Sequence, residues 1–217
     1  MMKHLLYALM LMVLAGCQKE ELTIIEGQDE EAFTQDRVLK NLIMSVASHD
    51  GSFDDIVDKS SCFSIDFPYV CFYNGYPYTV NSIEDLAPFQ EGDKLIPEFP
   101  VNITFADYIQ AEVPNEDAFN DLIAQCENGL LFNQSITCVD IVYPIRISIY
   151  NPDNSEFETI SFTHDKQTFQ SIEDFDASLI ASIQFPIQIE MPNNVVLTIN
   201  SNDVLKSEIL DMIPFCE

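Results

Sequence analysis

Nine residues, Asp50-Gly51-Ser52-Phe53-Asp54-Asp55-Ile56-Val57-Asp58, carry the spacing nearest to ligand chemistry in this chain. Asp50, Ser52, Asp54 and Asp58 fall at positions one, three, five and nine of a calcium loop, where alternating side-chain oxygens can surround a hard cation. The match departs at two defining positions: position six is Asp55 rather than glycine, and position twelve is Ser61 rather than glutamate. The plainer reading is that Gly51 closes a helix and an acidic turn follows. Asn151 to Glu158 (NPDNSEFE) is a second acidic stretch of the same kind, at an expected hairpin tip. Ca2+ at Asp50, Ser52, Asp54 and Asp58 is therefore the one cofactor candidate, and no other cofactor is expected.

Catalytic patterns are scarce. His49-Asp50 and His164-Asp165 are neighbours along the chain, which does not place them in a triad. There is no glycine-flanked nucleophile serine, phosphate-cradling glycine loop or HExxH pair. The cysteines after residue 60 are widely spaced and have no histidine pair nearby, so they do not read as a zinc site. Among 36 acidic residues some pair will lie close, so a glycosidase-type dyad cannot be picked from the sequence. No catalytic residue is assigned.

The elements that would position these groups show as a repeat. An aromatic residue precedes proline in SIDFPYVCFY, IPEFPVNITF, DIVYPIRISI and SIQFPIQIEM, at Phe67-Pro68, Phe99-Pro100, Tyr143-Pro144 and Phe185-Pro186. Apolar residues alternate around each pair, as in Ile183, Phe185, Ile187, Ile189 and Met191, the pattern of a half-buried strand. Proline gives no N–H to a ladder, so these positions predict edges or pauses in pairing. Turn signals such as Asn74-Gly75 and Pro192-Asn193-Asn194 follow, then a second alternating strand. The period then lengthens. Asn115 caps a predicted helix with Phe119, Leu122, Ile123 and Cys126 on its apolar face, and Ser201 precedes Leu205, Ile209, Met212 and Ile213. Phe169 and Ile172 mark a third helix, and a shorter one runs from Ser82 to Pro88. Four strand-strand-helix units predict an internally duplicated α+β fold with antiparallel sheets and helices on one face. One N-terminal helix precedes them, expected over about 30–48 and packed on the first half or spacing it from a membrane.

Cys62 opens the first pair of units and Cys126 closes it; Cys138 and Cys216 bracket the second pair. The bracketing predicts disulfides Cys62–Cys126 and Cys138–Cys216, with Cys126–Cys138 as the rival. Each predicted bridge closes a long loop and contributes roughly 4 kcal/mol on a chain-entropy argument. Cys71 sits where Ile103, Ile147 and Ile189 sit in the other units, so it reads as a small buried apolar residue. Tyr69, Tyr73, Tyr76 and Tyr78 cluster in the first hairpin and read as sheet or subunit packing; without tryptophan a carbohydrate surface is the lesser reading.

The first residues supply an address. Lys3, the apolar run Leu5 to Leu14, and Ala15-Gly16 form a secretory leader too short to remain as a spanning helix. Leu14-Ala15-Gly16-Cys17 resembles the lipobox of bacterial lipoproteins. That resemblance implies cleavage after residue 16 and lipidation of Cys17, with the membrane as a partner through the lipid alone. Gln18-Lys19-Glu20-Glu21 resembles the export tag of Bacteroidetes surface lipoproteins, which implies display at the outer face of the outer membrane.

Composition agrees with export. After removal of the leader, 8 basic residues stand against 36 acidic ones, a net charge of −28. Such a surface does not bind nucleic acid, since phosphate neutralisation needs Lys and Arg. The expected organisation is a leader at 1–16, a tether at 17–28, a helix and acidic loop at 29–61, a first half at 62–126, a linker at 127–137 and a second half at 138–217. The expected function is a lipid-anchored, surface-exposed, non-enzymatic interaction or structural module with an unidentified protein or ligand partner. Alternatives are a periplasm-facing lipoprotein that accompanies an envelope complex or binds a ligand, and a hydrolase of unrecognised type.

Overall fold

Alternating strands need partners, and the computed structural model, which describes residues 32–90 and 92–216, shows which they choose. The first half contains β1 (Phe63–Ile65), β2 (Tyr69–Tyr73), β3 (Tyr76–Val80), β4 (Leu95–Pro97), β5 (Val101–Phe105) and β6 (Gln110–Val113). The second contains β7 (Asp140–Val142), β8 (Ile145–Asn151), β9 (Glu156–Phe162), β10 (Ile180–Ile183), β11 (Ile187–Met191) and β12 (Val195–Ile199). The five α-helices among the described residues are α1 (Arg37–Val46), α2 (Asp55–Asp58), α3 (Glu116–Glu127), α4 (Asp165–Glu173) and α5 (Asn202–Met212). The fold is α+β, with four antiparallel three-stranded sheets.

The sheets are β1-β5-β6, β3-β2-β4, β10-β8-β9 and β12-β11-β7. Each hairpin, such as β2-β3, therefore takes its third strand from the neighbouring unit. What reads in the sequence as one strand running through each aromatic–proline pair is two strands in two different sheets. The step between them is a cis peptide bond in all four units. The registers repeat as well: Ile65 faces Ile103, Pro97 faces Cys71, Ile141 faces Ile189 and Ile183 faces Ile147. In each case the residue two before the aromatic meets the residue four after the sister aromatic.

Two cores result. Phe63, Ile65, Cys71, Val101, Ile103 and Phe119 belong to one, and Ile147, Phe162, Ile172, Ile189, Leu205 and Ile209 to the other. Disulfides join Cys62 to Cys126 and Cys138 to Cys216, with Cα atoms 5.9 and 5.1 Å apart, so the rival Cys126–Cys138 bridge does not form. Cys71 is a buried free thiol. The predicted caps hold the helices: Asn115 Oδ1 accepts from the Ala118 N–H at 2.9 Å, and Ser201 Oγ from the Val204 N–H at 3.4 Å. His164 caps α4 through Nδ1, which accepts from the Gln167 N–H.

The N-terminal helix differs from expectation in length and in place. It starts at Arg37 because Asp36 Oδ1 accepts from the Val38 and Leu39 N–H groups, and residues 33–35 form a turn. It packs against α4 and α5, and its face of Leu39, Leu42, Ile43 and Val46 lies in the second core, not the first. Gly51 does not cap it, since the helix ends at Val46. A Cβ at Gly51 would stand 2.7 Å from the Phe63 nitrogen and the Ser61 oxygen, so close backbone approach explains the glycine. The segment after α1 ties the halves together: the His49 N–H donates to Ala106 O, Tyr108 Oη donates to Ala47 O, and the Tyr108 ring meets Phe169 edge-on. Cys17, Gln18, Lys19, Glu20 and Glu21, with the expected leader and tether, lie outside the described residues.

Candidate functional site

A cleft of about 1130 Å³ opens beside β4 in the first half. Leu95, Pro97, Phe99, Phe119 and Ile123 give it an apolar floor, while Asp55, Lys59, Asp93, Lys94, Glu116 and Asn120 line its rim. One wall is the α2 segment, the second is the edge strand β4, and the third is the face of α3. The alternation of β4 and the three-and-four spacing of α3 place these apolar groups on one side.

Asp54, just before α2, and Asp58, its last residue, form a buried acidic pair beside the cleft. Asp54 Oδ2 accepts from the Ile65 N–H at 2.8 Å, and Asp58 Oδ1 accepts from the Ser60 N–H at 3.0 Å. Their other oxygens, Asp54 Oδ1 and Asp58 Oδ2, are buried without a hydrogen-bond partner, as is the Tyr69 hydroxyl. Burial pushes the Asp54 carboxyl up to about 7, although the Ile65 N–H favours its charged form. Burial and then the charge of Asp54 push Asp58 well above the carboxylate range, and burial likewise raises the Tyr69 phenol.

Of the four calcium-loop candidates, the structure brings Asp54 and Asp58 together and leaves Asp50 and Ser52 bonded to each other. Asp50 Oδ1 accepts from the Ser52 N–H at 2.8 Å and from its hydroxyl at 2.6 Å. Among the described residues, no group of three or more His, Cys, Asp or Glu side chains is arranged to hold a metal ion. The Asn151–Glu158 tip is a hairpin turn that bonds to itself, through Asn151 to the Asp153 N–H and Asn154 to the Glu156 N–H. In the tyrosine hairpin, Tyr69 is buried, Tyr73 and Tyr78 pack edge-on against Phe89, and Tyr76 is 77% exposed.

One pairing escaped the sequence. His49 Nε2 lies 2.7 Å from Ser64 Oγ, and the adjacent Asp50 bonds to Ser52 instead. Burial holds this imidazole below its ordinary value, against the opposing charges of Asp50 and Asp66. Ser64 is 2% exposed, so this hydroxyl is out of reach as a nucleophile and the contact instead joins the α1–β1 segment to the first sheet. No sequence signal links the two residues, which lie on different elements.

No helix among the described residues is long and apolar enough to cross a membrane. No family model, curated protein or solved structure matches this chain.

Proposed function

We propose that this protein is a bacterial lipoprotein, anchored by lipid on Cys17 and displayed at the cell surface, whose folded body is a non-enzymatic interaction module. The observation that carries the reading is Leu14-Ala15-Gly16-Cys17 followed at once by Gln18-Lys19-Glu20-Glu21. Two acyl chains hold a protein firmly where one holds it marginally, so a lipidated cysteine anchors the body without a spanning helix. Two disulfides fit an oxidising compartment outside the cytosol. The apolar-floored cleft beside β4 is the surface at which a partner would be held.

The hydrolase alternative draws on the raised carboxyls of Asp54 and Asp58 next to that cleft. A general acid must reach the atom it protonates, and both side chains have no exposed surface. Interaction is therefore the better reading.

The test is Cys17→Ser, which should move the protein from the detergent phase to the aqueous phase; unchanged partitioning removes the anchor. Protease treatment of intact cells should digest the wild type and spare a variant with Lys19, Glu20 and Glu21 changed to alanine. Protection of both in intact cells, with digestion after lysis, would put the module in the periplasm.

A further inference from the structure

The duplication gives the cleft a counterpart in the second half, and that counterpart is filled. Counted from Phe99 and Phe185, the cleft residues Leu95, Phe119, Asn120 and Ile123 stand where Ala181, Leu205, Lys206 and Ile209 stand in the second half. The caps Asn115 and Ser201 fall at the same offset, and β4 and β10 are third strands in the same register. In the second half these positions hold α1. The Ala181 N–H donates to Thr34 Oγ1 at 3.0 Å, and Thr34 Oγ1 donates to Leu179 O at 3.3 Å. Lys206 Nζ meets Asp36 Oδ2 at 2.6 Å, and Leu205 and Ile209 share a core with Leu39, Leu42 and Ile43. The opposite wall corresponds too: Gln134 and Ser135 flank α1, and counted from Tyr143 and Phe67 they stand where Asp58 and Lys59 line the cleft.

Along the helix wall the charges differ in one direction, and around the rest of the rim Asp55 and Asp93 offset Lys59 and Lys94, which stand where Ser135 and Ile180 do. Where α5 carries Lys206 and Asn202, α3 carries Asn120 and Glu116. The helix wall of the seat loses a cation and gains an anion, so it no longer complements an acidic cap such as Asp36. It favours an occupant with basic groups beside the cap, as Arg37 and Lys40 stand beside Asp36 in α1. The support from α4 is also reduced, because the corresponding unit has only a 3₁₀ turn at Ile83–Leu86. This leaves the seat open to the outside.

We propose that the cleft beside β4 is a docking groove for an amphipathic helix of a partner protein, seated as α1 is seated in the second half, with basic flanks and no acid at its cap. This deepens the interaction reading and names the chemistry of the partner. Its test is independent of the anchor, since helix binding can fail while Cys17 still governs membrane partitioning.

The probe is a synthetic peptide of residues 32–48, made with Asp36 and with Asp36→Asn, titrated by fluorescence anisotropy into the full chain in detergent. The Asn-capped peptide should bind several-fold more tightly than the Asp-capped one, about 5-fold for a single rim charge. Asn120→Lys, which restores the charge of Lys206, should reverse that order. Ile123→Glu should weaken both peptides by about 10-fold or more, because it places a charge on the apolar floor. No binding by either peptide up to about 1 mM, or binding indifferent to Ile123→Glu, would overturn the proposal. A dimer of the full chain that Ile123→Glu dissolves would overturn it too, assigning the groove to a second copy.

Discussion

Ile65 and Ile103 face each other across β1 and β5 with no exposed surface, although one precedes the first aromatic–proline step and the other follows the second. Ile183 and Ile147 repeat the relationship in the second half. Each unit thus completes the sheet of its sister, and neither unit of a half has a full sheet alone. Because these pairs form the centre of two separate cores, Ile103→Ala and Ile147→Ala should each cost about 2–5 kcal/mol in urea unfolding. The double variant should lose the sum to within about 0.5 kcal/mol, since distant sites add. A large departure from additivity would mean that the two cores act as one.

The free thiol offers a second check. Cys71 is wholly buried and burial raises its thiol, so it should resist alkylation in the native protein and react once in denaturant. Mass mapping without reduction should recover Cys62 joined to Cys126 and Cys138 joined to Cys216. Paired replacement of Cys62 and Cys126 by serine should cost roughly 4 kcal/mol, the chain-entropy value for a loop of this length.

The place of α1 predicts a localised effect. Ile43 is 2% exposed within the second core, so Ile43→Ala should cost about 2–4 kcal/mol. Amide exchange should then speed up in β8, α4 and α5 before it does in β2 and β5. Faster exchange in the first half instead would contradict the observed packing.

His49 predicts a dependence on pH. Burial holds its folded value below the unfolded one, so above the ordinary histidine range its contribution to stability is fully present. As pH falls through that range, the unfolded chain takes up a proton that the folded chain resists, and this contribution is lost. Urea unfolding from pH 8 to 5 should therefore show a steeper acid-side loss for the wild type than for His49→Gln. Parallel curves would show that His49 does not resist protonation in the fold.

The sequence by itself determined the kinds of element and their order, though not where each strand breaks at its aromatic–proline pair. Alternation around four aromatic–proline pairs and caps at Asn115 and Ser201 specified an α+β duplication, and the bracketing cysteines pointed to two staples that the structure chose over Cys126–Cys138. Such signals are local: a period of two says which side of a strand is apolar, and a capping residue needs only the next three residues. The proposed leader and lipobox rest on the same kind of local reading, along residues 1–21.

Tertiary structure alone decided the partners. Period two cannot say whether Ile65 pairs within its own unit or with Ile103, nor that α1 joins the core containing Leu205, about 170 residues from Asp36 and its bond to Lys206. The same holds for His49 with Ser64, and for the burial of Asp54, Asp58 and Tyr69 around α2. These depend on which apolar faces meet once the chain closes on itself, and faces of equal hydrophobicity look alike in a sequence. The cleft is the clearest case. Its residues stand at the positions that seat α1 in the second half, and only folding shows that one seat is taken while the other stands open.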